Sequence, residues 1–301
     1  RANFLTNLEF VRRQITAKLP DDRNIRASLL LLCGISIASF MAVCIRFLGD
    51  DFSPFQIVFV RSCVMLSVLL PLLLKTGLSI LHTDRPLMIL TRAVSGFTGQ
   101  IFGVLAIINL PLAEVQALSF SRAFMVALLS LFFLQEVITK LRWGAIFLGF
   151  AGVVIIADPQ SGLNGFAFFA LASAFCFSIN TILIKILLAT HSRQTLMTHA
   201  ALFQCLFASI PTFFVFKMPQ NGDWIWFVLM GAIALCVQPL NLAAYRMGEV
   251  SRLAPVEFTR LITATLIGFL VFQEVPSYMF WFGAVLIVGA NLMVMNQKDP
   301  R

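Results

Sequence analysis

Four arginines stand inside runs of Phe, Leu, Ile and Val: Arg61, Arg92, Arg122 and Arg260. Two glutamates, Glu114 and Glu257, are their acidic counterparts, and Glu257 falls three residues before Arg260, on the same face of a helix. A charge at the centre of a membrane span costs about 2.5–3.5 kcal/mol on insertion scales, so it persists where it faces a partner or water. If both glutamates pair, two of the four arginines remain for a bound anion. A guanidinium suits that task because its planar fork matches carboxylate and phosphate oxygens. Uncharged polar residues share these runs: Gln100, Asn180, Gln238 and Tyr245, with Asn109, Gln116, Ser119, Gln204 and Asn241. They suit a wet interior, and they equally suit hydrogen bonding between helices.

Structural readings stand beside these. Glu257 and Arg260 also suit a pair that closes a cavity wall. Arg61 is near enough to a segment end to snorkel towards the interface. Arg46 and Lys185 sit at segment ends and read as snorkelling anchors.

The elements that must position these residues follow from composition. Hydrophobic residues are 59% of the 301 and charged ones 12%, with a mean hydropathy of +0.91; a soluble domain is nearer half apolar and a quarter charged. About 20 apolar helical residues cross a bilayer core. Ten segments qualify: 27–48, 55–74, 86–108, 112–134, 142–157, 165–188, 196–216, 224–245, 250–272 and 277–296. The chain therefore reads as an all-α integral membrane protein.

The net charge of +8 does not point to nucleic acid once its bases are placed. With the N-terminus inside, inner segments hold sixteen Lys or Arg, among them Lys75, Arg85, Lys140, Arg142 and Arg246, while the outer loops hold Lys217 alone. That asymmetry is the positive-inside signature, and it predicts both termini on the cytoplasmic side of an inner or plasma membrane. Residues 1–26 form a separate segment, in which Phe4, Leu8, Val11, Ile15 and Leu19 recur at helical spacing among Arg12, Arg13 and Lys18. The pattern suits an amphipathic helix lying on the membrane surface. No charged, apolar and small-residue sequence opens the chain, so no removable signal peptide is expected. Six cysteines fall within the spans without a CxxC pair, and three histidines do not cluster with them, so no cofactor, metal site or disulfide framework is expected.

A repeat organises the ten segments. FSRAFMVALLSLFFLQEV (Phe120–Val137) returns as FTRLITATLIGFLVFQEV (Phe258–Val275) at an offset of 138. SFMAVCIRFL (Ser39–Leu48) matches SINTILIKIL (Ser178–Leu187), pairing Arg46 with Lys185. Two halves of five helices, 27–157 and 165–296, account for both matches. Five is odd, so the second half enters the membrane from the opposite side. The loops agree: Lys140 and Arg142 follow Glu136, while Pro276 and Ser277 follow Glu274. Arg122 and Arg260 each lie about 15 Å into a helix from opposite sides, which brings both to the midplane. Inverted repeats are the construction of many secondary transporters, with the solute site between the halves.

These motifs also carry a resemblance. LPLAEVQALSFSRAF, followed by LFFLQEVITKLRWGAIFLGFAGVVII, and APVEFTRLITATLIGFLVFQEV resemble the two half-signatures of the drug/metabolite transporter superfamily, EamA family. VRSC and LTRAVSG resemble its branch that includes the solute carrier 35 G proteins. The resemblance implies a cavity lined by helices 1–4 and 6–9, with helices 5 and 10 at the periphery, where they can support a homodimer. Relatives often carry proline where this chain has Ala123, after a small polar residue where it has Arg122. A proline kink in helix 4 therefore does not carry over, and Arg122 becomes a candidate for solute selectivity.

The expected function is secondary transport of a small anionic or zwitterionic metabolite by alternating access, with proton or counter-solute coupling. Alternatives within transport are export of amino acids or mixed amphiphiles, or import of S-adenosylmethionine, with Glu114 and Glu257 holding the cationic part. An integral membrane lipid-modifying enzyme would need a metal cluster, HExxH or a nucleophile–base pair, and none is visible. No P-loop appears, so ATP is not expected to drive transport. A channel fits an inverted repeat with charges at one depth less well than an occluding site does.

Overall fold

The computed structural model describes residues 23–76, 81–133, 140–157, 165–187, 190–220, 222–247 and 259–295. The amphipathic stretch near the N-terminus and Glu257 lie outside them. The described chain is helical: α1 Arg23–Gly49, α2 Pro54–Thr76, α3 Pro86–Asn109, α4 Leu112–Ser119, α5 Ser121–Phe133, α6 Lys140–Ala157, α7 Gly165–Leu187, α8 Arg193–Val215, α9 Asp223–Met247, α10 Thr259–Phe272 and α11 Tyr278–Met295. Among the described residues, α1, α2, α3, α7 and α8 are each long and apolar enough to cross a bilayer. Shorter apolar stretches lie within α6, α9, α10 and α11. With α4 and α5 as one span, the architecture is ten transmembrane helices in two inverted five-helix repeats.

Local chemistry sets the helix ends. Pro86 opens α3, where a missing N–H costs nothing. Ser192 caps α8 by accepting from the Thr195 N–H at 3.1 Å. Asp223 in the first turn of α9 accepts from the Gln220 N–H at 2.8 Å. Gln56 is fully buried and grips the chain beyond α8, donating to the Lys217 carbonyl at 2.6 Å and accepting from its N–H at 3.0 Å. Both polar groups of one amide side chain are thereby satisfied by one peptide.

The expected span at 112–134 is not one continuous helix. It breaks at Phe120, whose N–H reaches back only three residues, to Ala117 at 3.1 Å. The chain keeps a right-handed helical conformation there, with φ −65° and ψ −19°, so the break is one overtightened turn and needs no proline. It falls two residues before Arg122.

The closest seams join the two halves. α3 lays Gly96, Gly99 and Gly103 against Asn180, Cys176 and Ser173 of α7, and Ser173 donates to the Gly99 carbonyl at 2.7 Å. A methyl group on Gly152 of α6 would sit 2.7 Å from the Gly283 carbonyl of α11. Gly149 lies under the Phe124 ring of α5, whereas nothing crowds Gly144 or Gly289. Small residues bring helix backbones together where lipid supplies no hydrophobic drive between them. α1 packs along α9 and α2 along α8 in the same manner. Large apolar side chains such as Phe147, Phe150, Phe213, Phe214 and Phe282 remain exposed, as a lipid-facing surface requires.

Candidate functional site

Arg92 is the most enclosed of the candidate arginines, 8% exposed on α3. Its Nη1 donates to the Leu196 carbonyl of α8 at 3.0 Å, and its Nε is buried without a hydrogen-bond partner. Arg61 on α2 is half-buried; its Nη1 lies 4.0 Å from Met41 Sδ of α1, and its Nε is likewise buried without a partner. A thioether is a weak acceptor, so this contact does little to satisfy the guanidinium. Among the described residues no carboxylate lies within ion-pairing distance of either. An unpaired guanidinium inside a membrane protein is costly, and an incoming anion relieves that cost.

Arg122 and Arg260 begin α5 and α10. The Arg122 side chain is exposed, and Ser178 of α7 donates to its carbonyl at 3.2 Å. Arg260 is half-buried, and Thr263 donates to its carbonyl at 3.1 Å. Thr263 also meets Ser39 of α1, hydroxyl to hydroxyl, at 2.9 Å. Glu114 lies half-buried in the first turn of α4, where an acidic side chain complements the helix dipole.

The polar side chains divide between site and scaffold. Asn180 is scaffold: its amide donates to the Arg92 carbonyl at 2.8 Å and rests against Gly96, tying α7 to α3. Asn109 and Ser119 turn back on carbonyls of their own helices, Leu105 and Val115. Gln100 is buried on α3, two turns beyond Arg92. The side chains of Gln238, Asn241 and Tyr245 lie outside the described residues, though α9 carries all three. His199 of α8 is buried near Arg92's partner Leu196, with Nδ1 2.9 Å from the Thr195 carbonyl and its ring stacked on Phe203. A carbonyl can only accept, so Nδ1 is the donor in that contact.

One cluster differs from its sequence reading. Arg46, expected to anchor at an interface, instead meets Glu274 with Nη2 and Oε1 2.9 Å apart. The distance is that of a full ion pair, although the two atoms are not aligned as a hydrogen bond. Arg46 Nη1 donates to the carbonyls of Ile107 and Leu110 at 3.0 and 2.5 Å, and its Cζ lies 5.3 Å from the Phe272 ring centroid. Glu274 Oε2 accepts from the Leu112 N–H at 2.8 Å. No carboxylate in the apolar interior signalled this pair, because Glu274 follows a helix end and its partner is 228 residues away.

Comparison with known proteins extends this picture. The profile of the EamA-like transporter family matches residues 25–157 and again 165–296. A riboflavin transporter of Brucella anthropi is 29% identical over 81% of this chain and 88% of its own length. An S-adenosylmethionine uptake transporter of Rickettsia bellii is 25% identical over 84% of this chain and 87% of its own. A solved crystal structure aligns with a TM-score of 0.61 at 19% identity, over 89% of this chain and 96% of its own, which shows a shared fold.

Proposed function

The chain belongs to the EamA-like transporter family, a family of transporters and not of enzymes, and on that premise we propose that it moves a small organic metabolite bearing a carboxylate or phosphate across the membrane by alternating access. The observation that carries the choice of solute is the state of Arg61 and Arg92. Each has a buried Nε without a partner, and neither has a carboxylate at ion-pairing distance among the described residues. An anion entering between α1, α2, α3 and α8 gives both guanidinium groups the partner the protein withholds. Arg122 and Arg260 extend the basic lining to the middle of the membrane, with Glu257, Glu114, Gln100, Gln238 and Tyr245 completing the candidate set.

A second reading draws on the relatives. S-adenosylmethionine carries a carboxylate beside cationic groups, so an arginine for the first and Glu114 or Glu257 for the second would serve an uptake transporter of that kind. Proton or counter-solute coupling, an inner-membrane location with cytoplasmic termini, and a homodimer through the exposed faces of α6 and α11 belong to the same proposal.

The test is a thermal-shift screen of purified protein against dicarboxylates, sugar phosphates, amino acids, riboflavin and S-adenosylmethionine, followed by uptake of each hit into proteoliposomes. Stabilisation by carboxylates or phosphates supports the leading reading. Stabilisation by S-adenosylmethionine alone selects the second. A response confined to uncharged solutes refutes the role given to the arginines.

A further inference from the structure

We infer that Arg46 and Glu274 form a clasp that holds the transporter shut at the face where α1 and α10 end, and that the transport cycle must break it. The inference rests on the transport reading above. The clasp spans the two halves: Arg46, α3 and α4 belong to the first repeat, and Glu274 to the second. It covers the turn between α3 and α4 from both sides. Arg46 binds the carbonyls left over at the end of α3, and Glu274 binds the N–H of Leu112 that opens α4. Each charge therefore opposes the dipole end that favours it. α4 has no capping side chain of its own, since Pro111 precedes it.

The backbone is shaped for this contact. Gln273 adopts φ 54°, the left-handed region that suits glycine, in a residue with a full side chain. Its N–H bonds to Phe269 at 3.1 Å and that of Glu274 to Gly268 at 2.9 Å, so the chain folds back over the end of α10. The Glu274 carboxylate then lies where a side chain on Gly268 would stand, 2.8 Å from the Cβ such a residue would carry. Backbone held in a costly conformation is found where a site has use for it.

The joint is also built to part. Beside the clasp, the apolar cluster between α1, α4 and α10 is small: Ala42, Leu112 and Ala264, with Ile107, Ile267 and Phe272 around them. Ser39 and Thr263 add a hydroxyl–hydroxyl hydrogen bond between α1 and α10 at 2.9 Å. Phe47 stacks on Trp226 at 4.7 Å and touches Phe272 at 5.5 Å, an aromatic cover over the same joint. Opening this face exposes two charged groups that water solvates readily and little aliphatic surface. The α3–α7 and α6–α11 seams, locked glycine to backbone, offer no such release.

The experiment reads opening directly and needs no solute. Spin labels at Asp50 and Val275, in an otherwise cysteine-free full-length protein in nanodiscs, report the distance across the joint. Glu274→Gln and Arg46→Gln should each raise the longer-distance population about tenfold, as expected for one charge-assisted contact. A second label pair at Phe150 and Phe282, across the α6–α11 seam, should not move. Unchanged Asp50–Val275 distances in both variants would overturn the clasp. So would equal widening at both label pairs, since the ion pair would then only support the fold. Transport separates the two proposals: if distances respond but the unmodified protein carries none of the screened solutes, the transport reading fails and the clasp stands.

Discussion

Replacing Arg92 with glutamine should weaken binding of the transported anion by roughly 10- to 100-fold while leaving the melting temperature of the empty protein the same or higher. Two opposing terms follow from the structure. The substitution removes the hydrogen bond from Nη1 to the Leu196 carbonyl, a charge-assisted contact worth about 1.5–3 kcal/mol. It also removes a cation whose Nε is buried without a partner, and leaving a buried polar group unsatisfied costs about 1–3 kcal/mol, more when it is charged. In the empty protein the second term offsets the first. With solute bound the charge is used, and a charge-assisted contact shielded from water contributes about 1.5–3 kcal/mol, which sets the fold-change. Arg92→Lys should recover part of the affinity, because an ammonium keeps the charge and loses the fork. The assay is equilibrium binding of the best screened anion together with a melt of each variant without solute. A lower melting temperature with unchanged affinity would show that Arg92 serves the fold alone. Arg122→Gln, measured alongside, should lose affinity with little change in melting, since its side chain is exposed.

Topology and packing give two further outcomes. Single cysteines at Lys140 and Ser277, in a background lacking the native six, should react with a membrane-impermeant maleimide from opposite sides, and reaction of both from one side would contradict the inversion. Gly152→Val should destabilise the protein by about 1–3 kcal/mol, read as a lower melting temperature, because a side chain there meets the Gly283 carbonyl at 2.7 Å and backbone cannot step aside; Gly144→Val, where nothing crowds the position, should change little.

Segment positions were legible from hydropathy alone, since the described helices fall on the apolar runs of the sequence. Periodicity could not show the break at Phe120. The residues on both sides are good helix formers, and the chain stays right-handed through the turn. Nor could it separate Asn180 from the solute contacts, because an amide inside a span suits glue and ligand equally until its partner is known. Arg61 and Arg92 were visible in the sequence as charges among apolar residues. The Arg46–Glu274 pair was not, since both members sit at helix ends, where a charge ordinarily reaches water unaided.

That omission bears on how the fold works. A repeat written twice in sequence invites the view that the halves are separate bodies, yet the tightest seams run between them: α3 on α7, α1 on α9, α2 on α8, α6 on α11. The joint with the least apolar cover is the one beside the clasp, where Ala42, Leu112 and Ala264 meet. Two of the four candidate arginines, Arg122 and Arg260, lie in α5 and α10. Arg92, by contrast, is tied to the neighbouring helices through Leu196 and Asn180. A solute held between Arg92 and that pair would feel movement of α5 and α10. Breaking the clasp at Glu274 would free the end of α10, the helix that carries Arg260. On the readings proposed above, charge recognition and opening would be joined by the same element.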